Sequence, residues 1–393
     1  MSEQKKKILL IAMADSVHVA RWLDVAADFS QHEVLLIPTS PHRRIHPRIS
    51  EIAGSFDQES RVGLRIHAFL KFLSLPIWIL DRMLGLSAPI RAWFIGQTLK
   101  TFKPDLVHIM ETQNGGYPFT RADLGFQTDA KKVLTLFGSD IFWYSRFEQH
   151  KTLLVELLGN IDLLAAECDR DLTLAKDLGY TGSFLPLTPV SGGLETEQIA
   201  ERDSQGSFEN RKTIAIKGYG GTWGEGALAI EALGDLSTEL FGYRVEIFSA
   251  GWQARKSARR HLRPAGIEYV IHKKASLNHR EMLQLFRASR IYVGISKSDG
   301  LPASLLEAMS QGAYPIQTGT ACIQGWFEPG FSGSRIDVHS VPAIKTAIEF
   351  ALANDKFLLE AQKINLARIV ERYSQDRLRL SFQPTYENLL TNS

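Results

Sequence analysis

Cysteine is scarce in this chain: 393 residues carry only Cys168 and Cys322. Two are too few for a disulfide framework and fit a reducing compartment. Charge of one sign is lacking as well. The 45 Lys and Arg against 43 Asp and Glu leave a formal net charge of +2, which gives no bulk argument for a nucleic-acid partner. No run of about 18 uncharged apolar residues occurs, so no transmembrane helix is expected. The basic start MSEQKKKILLIAM has too short an apolar run for a signal sequence and reads as a first strand. A G-x-G-x-x-G loop is missing, and no set of His, Cys and acids has metal-ligand spacing. What remains is a cytosolic globular chain, longer than one hydrophobic core usually serves.

What is present is alternation. Short continuous apolar runs at Lys7–Met13, Glu33–Pro38, Asp105–Met110, Lys132–Phe137 and Leu163–Ala166 are separated by helical patterns. Such runs suit strands covered on both faces, hence a parallel sheet of βαβ units. The pattern lapses over Pro186–Glu209 and restarts at Lys212–Lys217, Arg244–Ser249, Tyr269–His272, Ile291–Ile295 and Tyr314–Gln317. The expected fold is α/β with two Rossmann-like domains facing across a cleft. The expected boundaries are 1–190 for an N-terminal domain joined by a C-terminal helix at 374–393, a linker at 191–209, and a second domain at 210–373. In such sheets ligands bind beyond the carboxyl ends of strands, where the connections diverge.

The stretch SDGLPASLLEAM, Ser298–Met309, follows one of these strands. Pro302 suits the first helical position and Gly312 a helix stop. The free amides near Ala303, Ser304 and Leu305, with the helix dipole, make an anion site. Glu307 lies five residues beyond Pro302, roughly 7.5 Å along the axis. A diphosphate at the helix tip, a ribose diol beside Glu307 and a group beyond the phosphate facing Asp299 together describe a nucleotide-sugar. The alternative is a surface helix with a solvated Glu307 and an Asp299 that only shapes the turn. Upstream, KGYGG places Lys217 at a strand end before Gly218, Gly220 and Gly221, glycines that permit close backbone approach to phosphate. An ordinary βα turn with an exposed lysine is the alternative there.

The segment SKSDGLPASLLEAMSQGAYPIQT resembles the signature of family-4 retaining glycosyltransferases (glycosyl transferases group 1, GT-B fold), an acid and a Glu separated by seven residues and followed by A-M-A-x-G-x-P. Asp299 stands where most members have Glu. DSVHVARWLDVAADFSQHEVLLIP, KPDLVHIME, LFGSDIF and IAIKGYGG are similar to further parts of the group. The resemblance implies a retaining hexosyltransferase-like enzyme that moves a sugar from a nucleoside-diphosphate-sugar to a glycan or lipid-linked glycan hydroxyl. Its context would be polysaccharide or lipopolysaccharide assembly on the inner face of the cell membrane. Lys217, Asp299 and Glu307 would then be the catalytic set. Gly218, Gly220, Gly221, Gly300, Leu301, Ser304 and Leu305 would complete the donor site with Glu307. No cofactor and no metal are implied, because cations and helix amides take the leaving diphosphate's charge. Two alternatives stay open, a nucleotide-sugar epimerase-like enzyme and a non-catalytic binding module. The second draws on Gly325, which stands about where relatives often carry Glu.

The acceptor side is expected in the first domain, at Asp15, Ser16, His18, Arg21, His108, Glu111 and Asp140. Ser16 is a natural helix cap, and His18 and Arg21 either face the site or satisfy local groups. His108 is as readily a packed strand residue, since Met110 occupies the second place of the His-x-His seen in many relatives. Asp140 orients an acceptor hydroxyl or caps a helix. Asp169-Arg170-Asp171 reads as helix-start chemistry rather than a metal–diphosphate motif. The apolar Leu64–Gly85, with the basic Pro41–Arg48 before it, is either a peripheral membrane contact or a buried helix pair.

Overall fold

A computed structural model describes residues 5–25, 29–39, 45–200, 208–337 and 339–391, leaving aside the side chains of 68–74, 200 and 209. Residues 41–44 of the basic segment and 201–207 of the expected linker lie outside the described residues. The chain divides into two compact units, Met1–Gly193 with Asp376–Ser393, and Leu194–Gln375.

Seven parallel strands form the first unit's sheet: β1 Lys7–Ala12, β2 Glu33–Pro38, β3 Gly63–Ile66, β4 Leu106–Met110, β5 Lys131–Thr135, β6 Leu163–Ala165 and β7 Ser183–Phe184. Their order is β3-β2-β1-β4-β5-β6-β7. Alternation along each strand feeds two cores. Leu9, Ile11, Leu35 and Ile37 pack on one face, and Ile8, Leu10, Val34 and Leu36 on the other. The C-terminal helix Gln375–Thr391 closes the second face by burying Phe382, Tyr386, Leu389 and Leu390 there. Trp22 is the keystone of that face. It is fully buried, with Tyr386 edge-on at 5.8 Å and Phe382 at 6.3 Å.

The second unit repeats the design with six parallel strands: β8 Thr213–Lys217, β9 Arg244–Ala250, β10 Glu268–Lys273, β11 Ser289–Gly294, β12 Tyr314–Thr318 and β13 Ser334–Ile336. The order is β10-β9-β8-β11-β12-β13. Both sheets therefore have the doubly wound order, with one switch point between β1 and β4 and another between β8 and β11. The α/β class and the paired parallel sheets agree with the sequence reading.

Strands β3, β7 and β13 were not foreseen. They are two to four residues long and stand at or beside sheet edges, so their apolar signal is weak. Leu194–Ala200 is ordered rather than a bare linker. Leu194 exchanges backbone hydrogen bonds with Tyr373 and Gln375, and Thr196–Ala200 is helical. The apolar Leu64–Gly85 becomes β3 and the helix Ala68–Leu84. Ile77 and Asp81 of this helix are buried, whereas Ile79, Leu80, Met83 and Leu84 are exposed. Among the described residues no helix is long and apolar enough to cross a membrane.

Replacing Trp22 by alanine should cost about 3–5 kcal/mol through lost transfer energy and the cavity left behind. A denaturation midpoint within error of the parent would remove Trp22 from its central place in the first unit's core.

Candidate functional site

The second unit's switch point is built by a fold-back. Lys217 ends β8, and the loop after it turns onto the exit of β11. Glu225 N–H donates to the Ile295 carbonyl at 2.9 Å, and Lys297 N–H to the Trp223 carbonyl at 2.6 Å. Gly226 makes this turn possible, because a Cβ there would lie 2.3 Å from the Lys217 carbonyl oxygen. The result brings Lys217 Nζ to 2.7 Å from Asp299 Oδ2, with the Tyr219 ring 5.4 Å away. Burial works against the Lys217 charge, but Asp299 outweighs it and holds the ammonium above the usual lysine range.

The glycines after Lys217 divide by role. Gly218 is a packing glycine: a Cβ would meet Ile247 Cγ2 at 2.7 Å, and its amide donates to the Phe248 carbonyl at 2.8 Å. Its assignment as a phosphate contact is therefore corrected, since the donor is already taken. Gly220 lies under Gln253, whose Oε1 would be 2.6 Å from a Cβ, and Gly221 sits at φ +80°.

Next comes the helix Ala303–Ser310. Pro302 is its cap residue at φ −69°, ψ 112°, one position earlier than the sequence suggests, because its ψ is extended. Leu305 N–H donates to the Pro302 carbonyl at 3.0 Å, so Leu305 leaves the phosphate set. The first-turn amides of Ala303 and Ser304 have no acceptor within the helix. Ser304 Oγ is 3.0 Å from the Tyr292 hydroxyl, which burial pushes up to about 12. The Gly300 carbonyl accepts from Cys322 N–H at 2.9 Å, and Leu301 is buried. Gly312, at φ +87°, ends the helix as expected.

Glu307 is not a solvated surface acid. It is 6% exposed, and its Oε1 lies 3.1 Å from His279 Nε2. His279 is a residue that sequence reasoning missed. It opens the helix His279–Ala288 behind a capping box between Asn278 and Glu281. That box was the only local sign of where the imidazole would stand. Gly325 adopts φ +77°, where glutamate would be strained, and its carbonyl accepts from Arg372 Nη1 at 2.7 Å.

At the first unit's switch point, Ser16 Oγ caps the helix Val17–Val25 by accepting from His18 N–H at 3.2 Å and Val19 N–H at 3.5 Å. Asp15, His18 and Arg21 are half-buried beside it. Glu111 leaves β4 with φ +98°, a strained value for a side chain-bearing residue. Its Oε1 accepts from Thr39 Oγ1 at 3.0 Å and its Oε2 from Asn114 Nδ2 at 3.2 Å. Arg91 braces this loop from beneath, donating to the Asn114 carbonyl at 3.1 Å while its Nε pairs with the buried Asp81 at 2.9 Å. Asp140 follows β5. Its Oδ1 accepts from Phe137 N–H at 3.0 Å, and its buried Oδ2 has no hydrogen-bond partner among the described residues. Burial pushes both Glu111 and Asp140 up to about 7; the Asp15 charge raises Glu111 further, and those of Asp171 and Glu111 raise Asp140.

His108 does not join them. It sits mid-strand, 2% exposed, with Trp22 edge-on at 4.8 Å and Thr135 Oγ1 2.7 Å from its Nε2. Burial drives it down to about 3, so it is a neutral core residue, and its place on the acceptor side is corrected. Asp169 and Asp171 fall in the first turn of the helix Asp169–Asp177 behind Cys168, with Asp171 Oδ1 2.8 Å from Arg170 Nε. The helix thus starts earlier than the sequence reading had it: both acids lie inside its first turn, facing the helix dipole, and the cap position falls to Cys168.

Solved structures share this architecture over nearly the whole chain. A glycosyltransferase from Rickettsia africae ESF-5 aligns with a TM-score of 0.65 at 12% identity, covering 99% of this chain and 100% of that one. Sucrose-phosphate synthase from Thermosynechococcus elongatus gives 0.64 at 14%, covering 99% and 100%. Anabaena Alr3699/HepE, solved in complex with UDP-glucose, gives 0.63 at 12%, covering 98% and 100%. At such identities the likeness is one of fold alone, two α/β units with parallel sheets. Sequence adds a narrower likeness: residues 197–368, most of the second unit, match the model of glycosyl transferases group 1. No curated protein matches the chain by sequence.

A raised carboxyl pKa stabilises the fold fully below the unfolded value near 3.9, and that contribution is lost as pH rises through about 7. Asp140→Asn keeps an oxygen for the Phe137 amide and removes the titration. Its stability relative to the parent should therefore improve by about 1.4 kcal/mol per pH unit across that window. Parallel melting curves at pH 5 and pH 8 with an unchanged difference would refute the assignment.

Proposed function

We propose that the chain is a retaining glycosyltransferase that moves a sugar from a nucleoside-diphosphate-sugar to a hydroxyl of a glycan or lipid-linked glycan. The observation that carries this reading is the Lys217–Asp299 pair, 2.7 Å long, beside the start of the Ala303–Ser310 helix. Lys217 and the Ala303 and Ser304 amides take the charge that develops on the departing diphosphate, where such donors are worth most. Asp299 exchanges its ammonium partner for the donor sugar's hydroxyls as the phosphate arrives. Glu307, steadied by His279, receives the ribose diol. No metal is assigned in this scheme. The attacking hydroxyl loses its proton late, to the donor phosphate. Acceptor groups come from the strand exits of the first unit, at Asp15, Ser16, Glu111 and Asp140.

The exposed Ile79, Leu80, Met83 and Leu84, with Arg82 stacked on Trp78 at 5.3 Å, support a peripheral contact with the cytosolic membrane face. That setting agrees with cell-surface polysaccharide or lipopolysaccharide assembly.

Lys217→Ala should lower kcat by about a hundredfold to a thousandfold. Glu307→Gln should instead act on donor affinity, by about tenfold or more. NMR of the product would read the anomeric configuration, and added chelator should leave the rate unchanged. A protein that binds none of the common nucleoside-diphosphate-sugars would turn the reading to a binding module. Turnover of donor without acceptor into an epimer would turn it to an epimerase-like enzyme.

A further inference from the structure

The covered face of the first sheet is not apolar throughout. Parallel register sets Lys7 beside Glu33 and Leu35 beside Arg65. Alternation then puts Lys7, Glu33, Arg65 and His67 on the face that the helix Pro89–Phe102 covers. Doubly wound sheets normally fill that layer with aliphatic side chains. Here it holds a cavity of about 510 Å³, walled by Lys7, Arg61, Arg65, His67, Thr98 and Phe102 among others, with no acid in its lining.

Charge in this layer is uncompensated. Glu33, 1% exposed, receives Arg61 Nη2 and Arg65 Nη2 on the same oxygen, each at 2.8 Å. One carboxylate thus answers two guanidinium groups. Lys7 Nζ donates to the Phe102 carbonyl at 3.2 Å, while the Lys7 backbone amide occupies Asp105 Oδ2 at 2.7 Å. Two buried side-chain nitrogens are also left over. Arg65 Nε and His67 Nδ1 have no partner among the described residues. The Arg65 guanidinium lies 5.9 Å from the Phe56 ring and 5.6 Å from the Phe102 ring, which fixes the plane of its fork. Burial lowers the His67 pKa, and Arg65 lowers it further, so the imidazole is a neutral hydrogen-bonding group. The Thr98 and Thr101 hydroxyls donate back to the Phe94 and Gln97 carbonyls, at 2.9 and 2.8 Å, and present lone pairs to the space.

We propose that this cavity is a second anion site, one that binds the phosphate group of a small hydroxyl-bearing phosphate monoester. Arginine forks match phosphate oxygens in pairs, and Lys7 supplies a point charge beside them. The threonine oxygens accept from the ligand's hydroxyls. The volume exceeds that of a bare phosphate and falls in the range of small-molecule pockets. It lies in the first unit and shares no residue with the Lys217–Asp299–Glu307 set, so it stands whether or not the reading of that set does.

Thermal melts of the full chain with inorganic phosphate and with glycerol 3-phosphate, at matched ionic strength, test the proposal. Glycerol 3-phosphate should raise Tm by several degrees, and inorganic phosphate by less, because only the ester offers hydroxyls. The rise should persist in Lys217→Ala, which removes the other phosphate candidate. It should disappear in Lys7→Gln and in Arg65→Gln. The Lys7 variant keeps both Glu33 contacts, so a folding defect in Arg65→Gln does not blunt the test. No rise with either ligand, or a rise that survives in Lys7→Gln while vanishing in Lys217→Ala, would overturn the site.

Discussion

In an all-parallel sheet each strand must return over a face before the next can join, and right-handed crossovers make that return one-sided. A chain that adds strands first to one edge and then to the other reverses direction once. At that place alone, neighbouring strand exits send their loops apart. Each unit here has one such gap, after β1 and β4 in the first and after β8 and β11 in the second. Every polar arrangement of consequence at the strand exits follows from it. The Lys217–Asp299 pair forms because β8 and β11 are adjacent in space although the two residues are 82 apart in sequence. For the same reason at the other gap, the Asp15 charge reaches Glu111 and adds to the raising of its pKa.

The two gaps then differ in chemistry. That of the second unit keeps a cation against an acid beside helix amides, a setting for negative charge. That of the first collects carboxyls in a buried pocket of hydrogen bonds, where protons are held near neutrality. The proposed transfer would use this division, with diphosphate at one gap and the acceptor hydroxyl at the other. The Glu111 backbone stores strain to hold its carboxyl against Thr39 and Asn114, and Arg91 with Asp81 supplies the bracing that keeps it there.

Much of this was legible in the sequence, for physical reasons that can be named. β2 runs from Glu33 to Pro38 as read, since a strand buried on both faces leaves an unbroken apolar run. The places of Lys217 at a strand end and of Asp299 and Glu307 around a helix start were legible because such ends and starts leave punctuation. The errors have a different origin. Leu305 was misassigned because its amide closes an i to i−3 bond on Pro302, a detail of the extended cap. Gly218 was misread because its neighbour Ile247 belongs to another strand. His108 went to the core because the pairing of Trp22 with the C-terminal helix covers it, a contact spanning most of the chain. His279 reaches Glu307 across 28 residues through the phase of a helix, which no local pattern reveals.

The backbone exchange between Leu194 and residues Tyr373 and Gln375 has a topological meaning. The polypeptide enters and leaves the second unit through one doorway, laced shut by two hydrogen bonds of 2.9 and 2.8 Å. The second unit is thus a guest inserted into the first unit's chain, between the body of that unit and its sealing helix. Such a guest has neighbouring ends by construction, which makes it a natural segment to excise, circularise or graft into another host.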